Sequence, residues 1–241
     1  MTIGVIRRNR ARLAALIIPF AVVSQAAFCR TPGEAEASLH GPWDRLIEAP
    51  ASRVVAPVAV MRLTTGGRPA GHNDAARLAG AGASVTFDFG REVGGLADFA
   101  VRQVDGKDAE LGLSFSESPR FIGPQSDSSA GGTGTHDGAL AVTVQAGVHY
   151  TMPADKLRGG FRYLTVSLTR GQSVSTDTMR LAISFSPGED LRRYRGYFTS
   201  SDPLLDRIWY AGAYTVQTNI CLLYTSPSPR DRQKSRMPSS A

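Results

Sequence analysis

Cysteine is nearly absent from this sequence: Cys29 and Cys221 are the only two in 241 residues. Standing far apart, they supply neither a disulfide framework nor a C-x-x-C metal or redox pair. Histidine is scarce as well. His40, His72, His136 and His149 stand singly, without a second ligand at metal spacing, so no metal and no cofactor is expected. Long hydrophobic runs are also missing. The most apolar stretch, LAALIIPFAVV over 13–23, is too short to span a bilayer and is interrupted by Pro19. An excess of one charge sign is missing from the body, although the whole chain carries a formal +6. Arg7, Arg8, Arg10 and Arg12 contribute +4 at the front. Arg230, Arg232, Lys234 and Arg236, less Asp231, contribute +3 at the end, leaving the body at −1. A body so near neutral has no electrostatic footprint for a phosphate backbone, which excludes nucleic acid as a partner.

What is present begins with an export signature. A cationic stretch over 7–12 precedes the short apolar run, and Ser24-Gln25-Ala26 offers small residues at a cleavage site. Residues 1–27 therefore read as a signal peptide, with a secreted or periplasmic product and no stable membrane anchor. An uncleaved anchor is the alternative reading. A lipoprotein reading of Cys29 is weaker, because bulky Phe28 stands where a small residue is wanted.

Residues 28–52 read as a linker and mature N-terminus, and 53–190 as one domain of short strands between Gly-, Asp- and Pro-rich turns. Val-rich 53–63, broken by Pro57, suits an edge strand or bulge. The Gly/Ala/Asn stretch 66–82 reads as a loop. Residues 84–89 (SVTFDF) alternate, with Val85, Phe87 and Phe89 on one side and Thr86 and Asp88 on the other. Residues 90–95 (GREVGG) read as a turn before a strand over 96–101, and Asp105-Gly106 as another turn. Leu111, Leu113 and Phe115 point inward from 110–116. Leu140, Val142 and Val144 share a face. In 161–168 (FRYLTVSL), parity sets Phe161 and Tyr163 opposite Leu164, Val166 and Leu168. Met179, Leu181, Ile183 and Phe185 aim at the core. The pattern is mainly β, an antiparallel, jelly-roll-like β-sandwich.

The period then changes. Ser201-Asp202-Pro203 is a helix start, with Asp202 as the N-cap and proline at N1. Leu204, Leu205, Ile208, Trp209, Gly212 and Val216 follow at helical spacing, and Trp209 and Tyr210 are expected to pack on the sandwich or on further helices. Packing of this helix back on the sandwich is the alternative to its being the opening element of a helical unit.

Taken in order, SVTFDFGREVGG, LSFSES, RGGFRYLTV and YRGYFTSSDPLLDRIWYAGAYTVQTN resemble the β-sandwich and sandwich-to-barrel junction of bacterial α-L-rhamnosidases. These belong to glycoside hydrolase family 78, within the six-hairpin glycosidases. The resemblance covers about 54–219 and is most specific at the junction. It implies that 191–220 is the junction and first helix of a missing (α/α)6 barrel. It also implies inverting hydrolysis of terminal α-L-rhamnosides by two carboxyls in that barrel, far enough apart to admit a water. No residue of this sequence matches either carboxyl motif, so no catalytic residue is assigned and the chain alone is expected to be inactive. The different-class alternative is a stand-alone carbohydrate-binding module. Residues 221–241 (CLLYTSPSPRD to SRMPSSA) resemble the in-frame translation of a sequencing adapter and are expected to be disordered and foreign to the parent protein.

The candidate substrate-binding residues are Glu117 and Asp127, in the long polar loop 117–137 with Arg120 and Asp137. The competing reading is a solvated loop closed by Asx and Ser turns. Phe161 or Tyr163 as a sugar-stacking surface competes with the commoner placement of strand aromatics in a core.

Overall fold

The computed structural model describes residues 40–127, 138–158, 160–186 and 190–219. The signal-like 1–27, Asp137 and the adapter-like 221–241 lie outside the described residues. Among the described residues eleven strands form two antiparallel sheets. In chain order they are β1 (Val54–Val55), β2 (Ala59–Arg62), β3 (Gly67–Ala70), β4 (His72–Ala79), β5 (Ser84–Val93), β6 (Gly95–Val104), β7 (Ala109–Ser116), β8 (Leu140–Val144), β9 (His149–Thr151), β10 (Phe161–Arg170) and β11 (Ser173–Ile183). The first sheet runs β3-β4-β11-β6-β9, with β1 on β11; the second runs β2-β5-β10-β7-β8. The α-helix α1 (Pro203–Thr218) follows. The protein is a mainly β, antiparallel sandwich followed by a helix.

The alternation explains the layering. Val85, Phe87, Leu111, Leu113, Leu164, Val166 and Leu168 from one sheet meet Leu78, Ala97, Phe99, Val174, Met179 and Leu181 from the other, all essentially inaccessible. Two sheets that each bury one apolar face drive their association through the apolar area removed from water. The outward face of the second sheet is made of small hydroxyls. Thr86 and Thr165, paired in register, share a hydrogen bond of 2.8 Å. Ser114 and Ser116 donate to the carbonyls of Gly123 and Phe121 at 2.6 and 3.0 Å. The segment after β7 thus folds over that face and supplies acceptors for two of its buried hydroxyls. Pro57 breaks the edge as expected: the chain pairs with β11 through β1, then crosses to β5 through β2.

Three expectations are corrected. The stretch 66–82 is a hairpin, β3 and β4 joined at Gly71 (φ +92°), rather than a loop. Its small residues give a weak apolar signal, yet Ala76 and Leu78 are buried against β11 by register. Gly67 is required there, since a Cβ would strike the backbone carbonyl of Ser84. Residues 90–95 are not a turn, because β5 continues through Val93 and only Gly94 separates it from β6. Phe161 does not lie opposite Leu164 and Val166. It is 1% exposed, belongs to the same core and meets Phe115 and Phe89 edge-on.

The last two corrections share a cause. Phe161 pairs with Val93 and Tyr163 with Asp88, so four residues of β5 (Phe89 to Glu92) oppose Arg162 alone. Such a bulge bends the strand and resets its parity. Gly90, at φ +77°, supplies the left-handed position that the kink needs. Arg162 closes the bulge with two hydrogen bonds to the Asp88 carboxylate, at 2.8 and 3.0 Å, and the Gly90 N–H adds a third at 2.7 Å. The Asp88 side chain is only 13% exposed.

The Arg162 hydrogen bonds hold the Asp88 carboxyl below its ordinary range; burial opposes them and the Gly90 N–H helps. A carboxyl depressed in the folded state contributes stability fully above its unfolded value and loses it as pH falls through the folded value. Asp88→Asn is expected to cost about 1.5–3 kcal/mol at neutral pH, the scale of a hydrogen bond to a charged group. In urea unfolding, the gap between wild type and variant should shrink as pH drops below about 4; a gap independent of pH would exclude the charged pair as its source.

Candidate functional site

The loop that carries Glu117 and Asp127 is closed at its neck by backbone bonds. The Asp127 carboxylate accepts the Glu117 N–H at 2.8 Å, and the Asp127 N–H donates to the Phe115 carbonyl at 3.1 Å. Ser126 Oγ accepts the Phe115 N–H at 3.2 Å and donates to the Gly138 carbonyl at 3.0 Å. A short polar side chain here does the work of an absent strand partner. The structure therefore brings Glu117 and Asp127 together through a main-chain N–H and a carboxylate. Glu117 is exposed and Asp127 half-buried. At the loop's crest Ser118 caps a single 3-10 turn, Pro119–Phe121, by accepting the Arg120 N–H. The Arg120 guanidinium lies 6.0 Å from the ring of Phe121, which is 56% exposed. Phe161 and Tyr163 are both buried, so neither offers a ring face to a sugar.

The second candidate surface is α1 with the segment leading into it. Asp202 caps the helix as expected, its Oδ1 accepting the Leu204 N–H at 2.8 Å. The helix does return to the sandwich, but not by its aliphatic stripe. Tyr210 and Tyr214 are the buried residues: Tyr214 donates its hydroxyl to the Glu92 carbonyl at 2.6 Å and meets Phe185 edge-on. Burial pushes both phenols above their ordinary range, and for Tyr214 the rise is large. Each stays neutral and able to donate. Gln217 donates to the Leu191 carbonyl at 2.7 Å and accepts from Tyr194 at 3.2 Å.

The other side of the helix faces outward. Leu204, Ile208 and Val216 are 58%, 58% and 64% exposed, with Leu205 and Trp209 beside them. Of the residues expected to pack on the sandwich, Tyr210 does so. Trp209 stacks at 6.0 Å on Phe198 and remains partly exposed. Leu204, Ile208, Gly212 and Val216 form one ridge at four-residue spacing, the geometry that seats against another helix.

Sequence reading missed the arginines that fasten the segments flanking the sandwich. Arg192 donates to the carbonyls of Ile47, Ala49 and Asp44 at 2.8–2.9 Å. Arg53 reaches the carbonyls of Ile183, Phe185 and Ser186, and Arg91 that of Glu48. A cleft of about 380 Å³ lies between these segments, lined by Ala49, Val55, Val58, Phe89, Arg91 and Arg192. No periodicity announces such contacts, since each spans more than forty positions. Among the described residues no three His, Cys, Asp or Glu side chains converge as a metal site, and no helix is long and apolar enough to cross a membrane.

No family model matches the chain, and no curated protein matches it. Among solved structures it is similar to a rhamnosidase from Klebsiella oxytoca with rhamnose bound: 18% identity, TM-score 0.46, over 75% of this chain and 37% of that one. It is also similar to the CBM32 of AlyQ in complex with 4,5-unsaturated mannuronic acid, at 15% identity and TM-score 0.37, over 53% of this chain and 96% of that one. A truncated AlyQ with CBM32 and alginate lyase domains gives 16% identity and TM-score 0.36, over 56% of this chain and 34% of that one. The chain thus spans little more than a third of the rhamnosidase's length.

Two outcomes follow from these contacts. Asp127→Ala should open the neck of the loop, so that limited proteolysis cuts within 118–127 several times faster while the unfolding midpoint barely moves. Tyr214→Phe removes one hydroxyl and leaves the Glu92 carbonyl without its donor. It should cost about 1–2 kcal/mol in chemical unfolding, and a neutral result would show that the helix seat does not depend on that bond.

Proposed function

We propose that this chain is the non-catalytic N-terminal sandwich and junction of a secreted, α-L-rhamnosidase-like glycoside hydrolase. In this reading the parent removes terminal α-L-rhamnose with inversion, and its acid and base reside in a helical unit that covers α1. The observation that carries it is the two-sided character of the helix. Tyr210 and Tyr214 satisfy the sandwich, while the ridge Leu204, Ile208, Gly212 and Val216 stands in water. An apolar ridge of this kind marks a surface meant for a partner. The family-like sequence SSDPLLDRIWYAGAYT runs from the residues before the N-cap into the same helix. Neither Glu117 nor Asp127 is assigned a catalytic role; as substrate-facing residues they would border the sandwich's loop end.

A carbohydrate-binding module without turnover is the second reading, favoured by the helix having a complete seat of its own on the sandwich through Tyr210, Tyr214 and Gln217. The two readings diverge at the ridge. Under the first, the purified chain self-associates at micromolar concentration in light scattering, Ile208→Glu with Leu204→Glu restores a monomer, and an aryl α-L-rhamnoside is not turned over. The gene beyond the codon for residue 220 then encodes several hundred helical residues with paired carboxylates. A monodisperse wild-type chain whose gene stops there sinks the hydrolase reading and leaves the binding module.

A further inference from the structure

The outward face of the first sheet carries a row of donors that none of the foregoing uses. Register aligns Arg68 on β3 with Arg77 on β4, Arg77 with Ser175 on β11, and Ser175 with Gln103 on β6. The flanking residues Leu78, Val174 and Ala76 point into the core, which turns this row outward. A bulge on β6 adds to it: Thr176 pairs with Val101 and Ser175 with Gln103, so Arg102 and Gln103 together oppose Ser175. At the usual strand spacing the four positions span roughly 14 Å.

Two arginines directly opposite on one sheet face, with Cβ atoms about 5 Å apart, repel one another. Neither Arg68 nor Arg77 forms an ion pair or side-chain hydrogen bond among the described residues. Asp74 stands three residues before Arg77 on β4 without an ion pair to it, and the acids on or beside β11 and β6 are engaged with other groups. Asp177 accepts from Arg102 at 2.8 Å and from the Thr178 N–H, Asp105 accepts the Ser173 hydroxyl, and Asp98 accepts from His149 and Thr151. Protection of the sheet edge does not account for the pair. Pro69 and Arg68 already guard edge strand β3, whereas Arg77 sits one strand inside, where a second cation adds only repulsion. An anion between the two guanidinium groups removes that repulsion, and the planar fork of arginine matches a carboxylate bidentately.

We propose that Arg68 and Arg77, extended by Ser175 and Gln103, bind the carboxylate of an acidic saccharide across the outward face of the first sheet. The anion preference rests on the arginine row alone. That a saccharide bears the anion rests on the carbohydrate reading above, with Ser175 and Gln103 serving its hydroxyls.

The test is calorimetric titration of the full chain with a short uronate oligosaccharide, a neutral oligosaccharide of equal length, and citrate. The uronate is expected to bind, more weakly as ionic strength rises, and Arg68→Gln with Arg77→Gln should reduce that affinity at least tenfold. The double variant's unfolding midpoint should hold or rise as the repulsion goes, which separates lost binding from lost folding. Uronate affinity unchanged in the double variant, or no uronate binding by wild type, overturns the site. Citrate bound as tightly as the uronate, with the same arginine dependence, overturns the saccharide assignment alone. A gene that stops at residue 220 would sink the hydrolase reading and leave the arginine site standing, whereas a failed uronate titration would remove the site and leave that reading untouched.

Discussion

Arg192 determines how the segments that flank the sandwich, residues 44–49 and 190–194, are held against it. One guanidinium takes the carbonyls of Asp44, Ile47 and Ala49, residues close to one hundred and fifty positions away. The segment around the 3-10 turn Pro42–Leu46 lies outside both ladders, so its carbonyls need donors from elsewhere. Arg91 and Arg53 do the same for Glu48 and for the exit of β11. Five well-placed donors on a group that stays charged make arginine suited to this task. Because Arg192 fixes its own segment as well, Leu191 and Tyr194 are held where Gln217 and Tyr210 can meet them. The seat of the helix thus begins with the carbonyls of Asp44, Ile47 and Ala49.

That dependence explains which parts of the fold were legible in the sequence. Alternation in 84–89, 110–116 and 179–185 placed Phe87, Leu113 and Met179 in the core because a strand's period of two is a local property. The cap at Asp202 and proline at 203 were legible for the same reason. The β3–β4 hairpin was not, since Ala76 and Gly67 give little apolar signal and are placed by register with β11 and by closeness to Ser84 respectively. Phe161 was misplaced because its parity is reset by residues on a different strand, seventy positions earlier. The arginine row of the first sheet was equally hidden, as Arg68, Arg77, Ser175 and Gln103 become neighbours only when four strands align.

The loop at Glu117 shows a different limit. Sequence reading expected a long polar connection over 117–137 and offered two roles for its acids; 117–127 is irregular apart from one 3-10 turn, and 128–137 lies outside the described residues. The structure gives Asp127 a structural use, closing the neck through the Glu117 N–H. A carboxylate engaged in this way retains its second oxygen, so loop closure and a ligand contact do not compete for the same atom.

The helix carries the sharpest consequence. An amphipathic helix of four turns normally has one apolar face and one polar face, and docking the apolar face ends its demand for partners. Here the aromatic face, Tyr210 and Tyr214, docks through hydroxyls as well as rings, whereas the aliphatic ridge points away. Had burial of apolar area alone governed docking, Leu204 and Ile208 would lie against the sheets, since each half-exposed side chain forfeits on the order of 1 kcal/mol of transfer free energy. The tyrosines win locally because the carbonyl of Glu92, at the bulge between β5 and β10, requires a donor that leucine lacks. The bulge therefore orients the helix. A partner for the ridge would meet a helix already held in place, with little further conformational entropy to lose.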